Sequence, residues 1–395
     1  MVHIRIWAGV CLVFALTAHP GVSLGVGLDA QRLITCKAVE LLPDAIAPLF
    51  RLHIDELQER AVEPDTAWLR DKTLRDRLTW HRTAMDIEAD EQTLQARMSA
   101  ARGFPYDRAA AKRLYGRMGK RASGELIWVI EDYFTQLTEA FRDGQESDVI
   151  RTAGYLMHFA ADTSSPFNAS ANHEGKLTGN LHLGRVTLGH PHYAHRTVAA
   201  RFAGELVRRN RSRYDDSITM SSGDYDPVNE PAGRARAALL VSLSVLDQVT
   251  AADAELIRLM NVGTGEELLA RADEYYQLLD ERCGALCVER LRDGAVFAGN
   301  LVAGAWIAGG QPSIDQIRAR TTAQPQEVPE PTVSQAAPAE PGDGGPIVGS
   351  SHSMVYHYYN CVHAKKIAAE NLVEFKSVEE AKAQGRRPCR VCRPP

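Results

Sequence analysis

The 395-residue chain has few cysteines, little net charge and almost no alternation of apolar and polar residues. Seven cysteines are too few for the framework of a disulfide-rich secreted domain. Forty-five basic against fifty acidic side chains leave a net charge of −5, which excludes a general attraction of the whole chain to nucleic acid or anionic membranes. The near absence of strand-like alternation excludes a β-rich fold for most of the chain.

The apolar run of the N-terminal segment is too short for a typical membrane-spanning helix. Its apolar run from Ile6 to Ala18 has 13 residues, whereas a spanning helix needs about 20. A basic start, this run and the following His19-Pro20-Gly21 are typical of a signal peptide that is cleaved near Gly25. The sequence therefore predicts a signal peptide over residues 1–25 and a secreted or periplasmic protein, with a retained anchor as the alternative.

Most of the remaining chain carries the periodicity of amphipathic helices. Apolar residues recur at helical spacing, for example at Tyr133, Leu137 and Phe141, almost continuously from about residue 29 to residue 310. This pattern predicts a mainly α domain of eight or more helices over residues 26–310. Thr264 and Glu267 form the pattern of a capping box and predict a helix that begins there and continues through Tyr275 and Leu279.

Two further segments follow the predicted helical domain. Residues 311–345 are rich in Pro, Ala, Glu, Gln and Gly and have almost no large apolar side chains. Such a segment cannot build a core, so the sequence predicts a linker. Residues 346–395 predict a small α+β module, with a strand over residues 355–359 and a helix over residues 377–383.

The C-terminal module carries a metal-ligand pattern. His357-x3-Cys361 and Cys389-x2-Cys392 are two short-spaced pairs separated by 27 residues. One imidazole and three thiolates in this arrangement are typical of a closed structural zinc site. We therefore predict one zinc ion in this module.

The same module resembles the small metal-binding domain of the Ada DNA-repair protein, with His357 in place of the first cysteine of that domain's Cys-x3-Cys. The imidazole and the predicted export argue against methyl transfer from DNA. Lysine and arginine outnumber glutamate in the module by eight to four. This local excess of positive charge predicts either a surface for a polyanion or an ordinary solvated basic surface.

His158 and Asp162 are the central pair of the helical domain. Because they are four residues apart, a helix would place both side chains on one face, close enough to hold one metal ion. A pair at this spacing taken alone is more often a simple hydrogen-bonded pair. The surrounding sequence favours the metal.

The stretch from His158 through Asp162, Pro166 and Asn168 to His182 resembles the core motif of the zinc-dependent phospholipase C and single-strand nuclease family. The family motif is His-x3-Asp followed by a proline, a Gly/Asn-rich loop and a further histidine. The segment Arg60-Ala-Val-Glu-Pro-Asp65 is similar to a second family segment. The resemblance implies a multi-helix fold and a zinc-dependent hydrolase of phosphodiesters.

Members of this family bind three zinc ions, and the resemblance implies the ligands of the first ion here. These ligands would be Asp65, His81, His158 and Asp162, with Asp65 also implied as the catalytic base that positions the attacking water. The match at His81 is the less regular one. All four residue types are suited to zinc, so we expect this site to be present.

The ligands implied for the other two ions are altered. The second ion would need histidines at positions 168 and 182 and an acidic residue at position 186. This chain has Asn168 and Val186 at two of these positions, so only His182 remains, as a weak ligand. The third would need an N-terminal tryptophan and a histidine, whereas this chain has Val26 and Gln31. We therefore expect one zinc ion in the helical domain. Alternative ligands lie nearby in a segment that more often forms solvated turns, at His173, His190, His192 and His195.

Two classes of function are compatible with these features. The first is a secreted zinc-dependent phosphodiester hydrolase acting on phospholipid or nucleic acid, weakened by the loss of two ions. The second is a non-catalytic binding or adaptor protein on the same scaffold. For Cys36, Cys283 and Cys287 the sequence leaves two alternatives, core thiols or one disulfide that includes Cys36.

Overall fold

The computed structural model describes residues 26–70, 93–105, 107–117, 124–170, 172–183, 193–323, 347–350, 355–358, 364, 367, 372–375, 377–384, 386–389 and 394. The chain divides into two compact units, and the boundary lies between Pro325 and Gln326. The predicted signal peptide falls outside the described residues, and so does the segment 71–92. Within the described residues the fold is mainly α with a small α+β unit, as the sequence predicts.

Thirteen α-helices lie in the described part of the first unit, in agreement with the prediction of eight or more. They are α1 Leu28–Glu40, α2 Ala47–Leu52, α3 Ile54–Arg70, α4 Leu94–Arg102, α5 Arg108–Arg117, α6 Leu126–Asp143, α7 Glu146–Asp162, α8 Leu206–Ser217, α9 Pro231–Ser244, α10 Leu246–Leu259, α11 Gly265–Ala270, α12 Ala272–Ala308 and α13 Ile314–Ala323. Shorter helical turns of 3-10 type lie at Pro166–Ala169, Lys176–Thr178, Tyr193–His195 and Ser222–Asp224, and a π-helical turn at Ala200–Glu205 leads into α8.

Local sequence signals fix where several helices begin. Thr264 and Glu267 form the predicted capping box at the start of α11, with Thr264 Oγ1 accepting from the Glu267 N–H at 3.2 Å. Gln145 and Asp148 form a second capping box at the start of α7. The helix that begins at Thr264 is shorter than the apolar pattern indicates, because α11 ends before Arg271 and α12 begins after it.

Helix α7 lies at the centre of the first unit and packs against α1, α3, α6 and α12. Every residue of α7 from Thr152 to Asp162 is buried. Helix α12 approaches its neighbours closely at glycines: a Cβ on Gly299 would lie 2.8 Å from the Ala38 carbonyl oxygen, and one on Gly294 would lie 2.9 Å from Ser164 Oγ. The first and last long helices therefore close around α7.

A buried ion pair connects the π-helical turn to α10. Arg201 and Asp253 are both fully buried, and the guanidinium binds the carboxylate through Nε and Nη2, each at 2.7 Å. Asn180 adds a hydrogen bond to Asp253 at 2.7 Å, and the Tyr275 hydroxyl adds another. Because further hydrogen bonds satisfy the buried carboxylate, we interpret this ion pair as part of the packing of the core.

One described helical stretch, Pro231–Leu259, is apolar and long enough to cross a membrane by length and composition alone. Core helices of soluble proteins pass the same test. Here the stretch consists of the two helices α9 and α10, which meet at Val245. Leu239, Leu243 and Leu256 from this stretch are buried in the core of the first unit.

The second unit contains a four-stranded sheet and one helix. The strands are β1 Ile347–Ser350, β2 Val355–Tyr358, β3 Leu372–Phe375 and β4 Arg387–Pro388, and α14 covers Val378–Ala383. The strand order is β3-β1-β2-β4, with β1 antiparallel to β2 and β3, and β4 parallel to β2. Tyr356, Phe375 and Ala381 form the small core beneath α14. The strand and helix predicted at 355–359 and 377–383 are confirmed within one residue at their described ends.

The predicted linker begins too early in the sequence. Residues 314–323 form α13, whose Ile317 is fully buried and whose Arg320 donates to the Phe141 carbonyl oxygen at 2.7 Å. The Trp306 indole also donates to the Pro312 carbonyl oxygen at 3.0 Å. Composition missed this helix because contacts with distant residues hold it, including an ion pair of Arg318 with Glu146 at 3.1 Å. The rest of the predicted linker, residues 324–345, lies outside the described residues.

The three cysteines of the first unit that the structure describes are free thiols. Cys283 and Cys287 are buried on α12, and Cys36 on α1 accepts a hydrogen bond from Gln58 Nε2 at 3.0 Å. Of the two alternatives that the sequence leaves open, the structure has the thiols.

Candidate metal centre

His158 lies on the buried face of α7. Its Nδ1 lies 2.7 Å from the Ala61 carbonyl oxygen. Because a carbonyl oxygen only accepts, Nδ1 carries the proton and Nε2 presents a lone pair. Nε2 has no hydrogen-bond partner among the described residues. Burial lowers the pKa of His158 to about 4, so the ring is neutral at physiological pH. A histidine fixed in this way is typical of a metal ligand, whose second nitrogen is held by a backbone carbonyl.

A proline lies within α3 close to Ala61. Pro64 lies inside α3. Proline lacks an N–H group and its ring displaces the preceding turn, so the helical hydrogen bonding is disrupted there. The carbonyl that Pro64 cannot serve is that of Arg60, four residues earlier. The adjacent Ala61 carbonyl accepts a hydrogen bond from His158 Nδ1 of α7.

Asp162 lies one turn after His158 on the same face, as the spacing predicts. Both side chains are fully buried, and Asp162 Oδ2 lies 3.5 Å from His158 Nε2. This separation is long for a hydrogen bond. Two ligand atoms of one tetrahedral zinc ion, with bonds of about 2.0 to 2.2 Å, lie about 3.4 Å apart. The pair therefore fits two ligands of one ion better than a direct hydrogen bond.

The start of the first unit brings two further groups to Asp162. Gln31 Nε2 donates to Asp162 Oδ1 at 3.2 Å, and the backbone N–H of Val26 also donates to this carboxylate. Gln31 is fully buried and Val26 is nearly so. These bonds orient the carboxylate, and they leave Oδ2 without a hydrogen-bond partner in the described part of the chain.

Asp65 on α3 is an electrostatic neighbour of Asp162. Burial raises the pKa of Asp162 well above its usual range, and the charge of Asp65 raises it further, while the bonds from Val26 and Asn168 act in the opposite direction. Two neighbouring carboxylates disfavour ionisation of both unless a cation lies near them. Across the described ranges no lysine or arginine pairs with Asp162. Without a cation this arrangement favours the protonated form of Asp162, and a cation bound beside the carboxylate would reverse that preference.

The residues at the altered second site lie in two places. Asn168 packs against the end of α7, and its Nδ2 donates to the Asp162 backbone carbonyl at 2.8 Å. His182 lies 3.2 Å from Glu174, which also pairs with Lys176 and Arg196. His182 thus belongs to a partly buried group of charged side chains. Its assignment as a weak ligand stays a prediction. Val186 lies outside the described residues.

The structure brings part of the predicted zinc site together. Asp65, His158 and Asp162 lie in one region between α3 and α7, whereas His81 lies in the segment 71–92, outside the described residues. In the described ranges, no three His, Cys, Asp or Glu side chains come close enough to hold one metal ion. The residues present have the right chemistry for zinc, and the metal itself stays a prediction.

Sequence reasoning missed a buried carboxylate beside this region. The Tyr155 hydroxyl donates to Glu63 Oε2 at 2.7 Å, and Arg60 pairs with the same oxygen at 3.0 Å. Burial, and then the bond to Glu63, raises the pKa of Tyr155. Glu63 and Arg60 belong to the same six-residue segment, 60–65, as Asp65. This segment therefore supplies a candidate ligand and also contacts that pack α3 on α7.

In the second unit, half of the predicted zinc ligands are described. β2 and β4 are parallel, with Tyr356 opposite Pro388, and the Cys389 N–H donates to the Tyr356 carbonyl at 2.9 Å. The next pair along this register is His357 and Cys389, and both are buried. Cys361 and Cys392 lie outside the described residues. The sheet therefore brings together one member of each short-spaced pair.

Comparison with models of known protein families finds no match for the chain, and comparison with curated proteins finds none either.

Proposed function

We propose that the first unit is a zinc-dependent phosphodiester hydrolase of the phospholipase C and single-strand nuclease type, with one zinc ion. Asp65, His81, His158 and Asp162 would hold the ion. The observation that carries this proposal is the neutral, fixed imidazole of His158, whose buried Nε2 lies 3.5 Å from Asp162 Oδ2. The buried carboxylates of this region supply the negative charge that a divalent cation needs.

When bound, zinc lowers the pKa of a bound water and stabilises negative charge on an attacked phosphate. The residues of this chain position the ligands: the Ala61 carbonyl fixes the His158 ring, and Gln31 and Val26 orient the Asp162 carboxylate. Asp65 is the proposed base. With one ion rather than three, the charge on the phosphate is less well stabilised, so we expect weak turnover. The substrate class is a phosphodiester, in phospholipid or nucleic acid.

The alternative is a non-catalytic binding or adaptor protein. Two observations favour it. Asn168, at a position where the family resemblance implies a ligand, instead binds the backbone of Asp162. His158 and Asp162 are also fully buried, which leaves their side chains no surface for a substrate.

Replacing His158 with Ala tests the hydrolase. We expect the variant to lose the zinc of the first unit and all hydrolysis of a chromogenic phosphodiester, while the wild-type chain has weak but measurable turnover. The control is His53→Ala, which removes a histidine that pairs with Glu146 at 2.6 Å in the same unit. Equal turnover in wild type and His158→Ala would contradict the hydrolase. Zinc lost with His158 but no turnover in the wild type would favour the adaptor.

For the second unit we propose a structural zinc site of His357, Cys361, Cys389 and Cys392, in a module similar to that of the Ada protein. Support comes from the parallel pairing that places His357 and Cys389 side by side. The hydrophobic clusters of this unit are small, so metal binding would supply much of its folding free energy. Its excess of basic residues makes a polyanion the proposed partner.

A further inference from the structure

The side chains around Asp162 present more acceptors than donors. Gln31 Oε1, Asp162 Oδ2 and Asn168 Oδ1 are all buried, and none of these atoms has a hydrogen-bond partner within the described residues. All three side chains are 0% exposed. A buried acceptor without a partner is destabilising, because it has lost its hydrogen bonds to water without replacing them. One of these acceptors belongs to the Asp162 carboxylate and the other two to amides that contact Asp162. We infer that a hydrogen-bond donor or a cation binds them in solution.

The orientation of both amides is fixed by their hydrogen bonds. Gln31 Nε2 contacts Asp162 Oδ1 at 3.2 Å and the His158 backbone carbonyl at 3.4 Å, and the carbonyl oxygen only accepts. Asn168 Nδ2 contacts the Asp162 backbone carbonyl, which also only accepts. Exchanging oxygen and nitrogen in either amide would place acceptor against acceptor. The two free amide atoms are therefore oxygens, not N–H groups.

We propose that Gln31, Asn168 and Asp162 form an oxygen-donor site for a hard divalent cation of the Mn²⁺, Mg²⁺ or Ca²⁺ class. Amide and carboxylate oxygens are the ligands that such cations prefer, and water completes their coordination. Imidazole and thiolate suit zinc better. At positions 31 and 168 the amides thus change the kind of metal that is bound instead of abolishing metal binding. This inference rests on the proposed function in one respect: Asp162 would also be a ligand of the zinc ion that His158 binds.

Manganese is the probe for this site, because free Mn²⁺ is counted directly by electron paramagnetic resonance. The full chain is first loaded with zinc and then titrated with Mn²⁺. We expect one Mn²⁺ per chain in the wild type. Gln31→Leu, which keeps the size and removes the oxygen, should weaken Mn²⁺ binding at least about tenfold. Gln31→Glu, which adds a charged oxygen, should strengthen it. Because Gln31 also binds the Asp162 carboxylate, the zinc content of each variant is measured in the same samples.

The matched control is Gln58→Leu, because Gln58 contacts Cys36 and lies outside the proposed site. Its Mn²⁺ binding should equal that of the wild type. The proposal is overturned if zinc-loaded wild type binds no Mn²⁺, since ordered water would then satisfy the oxygens. It is also overturned if Gln31→Leu binds Mn²⁺ as the wild type does, or if Mn²⁺ displaces zinc one for one. Zinc retained by His158→Ala would instead overturn the hydrolase proposal, and the Mn²⁺ titration is read independently of it.

Discussion

Gly154 of α7 packs directly against Arg60 of α3. A Cβ at position 154 would collide with the Arg60 Cβ and would lie 3.3 Å from the Leu57 carbonyl oxygen. The next residue of α3 after Arg60 is Ala61, and the residue one turn after Gly154 is His158. The close approach of the two helices at this glycine therefore sets the distance of the His158 ring from its backbone acceptor.

Gly154→Ala should separate α3 from α7. Because the added methyl group meets a Cβ and the backbone of α3, we expect a loss of about 1 to 3 kcal/mol in the free energy of unfolding. The metal affinity of the first unit should also fall, since the Ala61 carbonyl would move away from His158. Urea unfolding and zinc titration measure the two effects. Gly204→Ala is the control, because a Cβ at Gly204 meets nothing within 4 Å, and a loss of similar size there would contradict the explanation.

Asp253→Asn should be among the more destabilising single changes in the first unit. It would leave the fully buried Arg201 guanidinium without its carboxylate, and breaking a buried pair in this way costs about 3 to 5 kcal/mol. Asp273→Asn provides the comparison, because Asp273 pairs with Arg209 but its side chain is 96% exposed. A surface pair contributes at most about 1 kcal/mol. Equal losses in urea unfolding would show that burial does not govern the first pair.

The buried thiols of α12 predict a loss of stability at alkaline pH. Burial raises the pKa of Cys283 from 9.0 to about 11 and raises that of Cys287 further. Above the thiol pKa of the unfolded chain, the folded state binds more protons than the unfolded state, so the free energy of unfolding falls as the pH rises through this range. Cys283→Val should make the fall less steep in urea unfolding at a series of pH values. Equal slopes in variant and wild type would contradict this assignment.

Limited proteolysis should cut after α13. Because α13 packs on the first unit through Ile317 and Arg320, the released helical fragment should extend at least to Ala323, not end near residue 311. The small C-terminal fragment should keep one zinc ion and unfold in excess chelator, since its clusters of buried apolar residues are small. Mass spectrometry gives the boundary, and circular dichroism follows the unfolding. A C-terminal fragment that stays folded in chelator would contradict the structural zinc.

The double variant Asn168→His with Val186→Glu tests whether the scaffold is that of a weakened hydrolase. The two changes supply an imidazole and a carboxylate. Together with His182, these are the ligands that the family resemblance implies for a second zinc ion. A second ion close to the first would stabilise charge on the attacked phosphate. We expect one additional zinc per chain and hydrolysis raised by orders of magnitude. Additional zinc with unchanged hydrolysis would count against the hydrolase.

The sequence predicted the helices and the His158 and Asp162 pair because both follow from local spacing. A separation of four residues on a helix determines a common face whatever the tertiary structure. The contacts of Gln31 and Ala61 could not be predicted in this way, because they join α1 and α3 to α7 across about a hundred residues or more of chain. α13 was missed for a related reason: its stability comes from contacts with α6 and α7, and its own composition resembles a linker.

The packing of α1 against α12 has a consequence for the order of assembly. Gln31 reaches Asp162 across 131 residues, and α1 packs on a helix that ends only at Ala308. N-terminal parts of a chain generally fold first as it leaves the ribosome. Here the environment of Asp162 is closed only once α12 has been synthesised. A nascent chain would therefore lack the finished environment of Asp162. If the proposed metal site exists, the metal would be chosen by the completed protein in whichever compartment it then occupies.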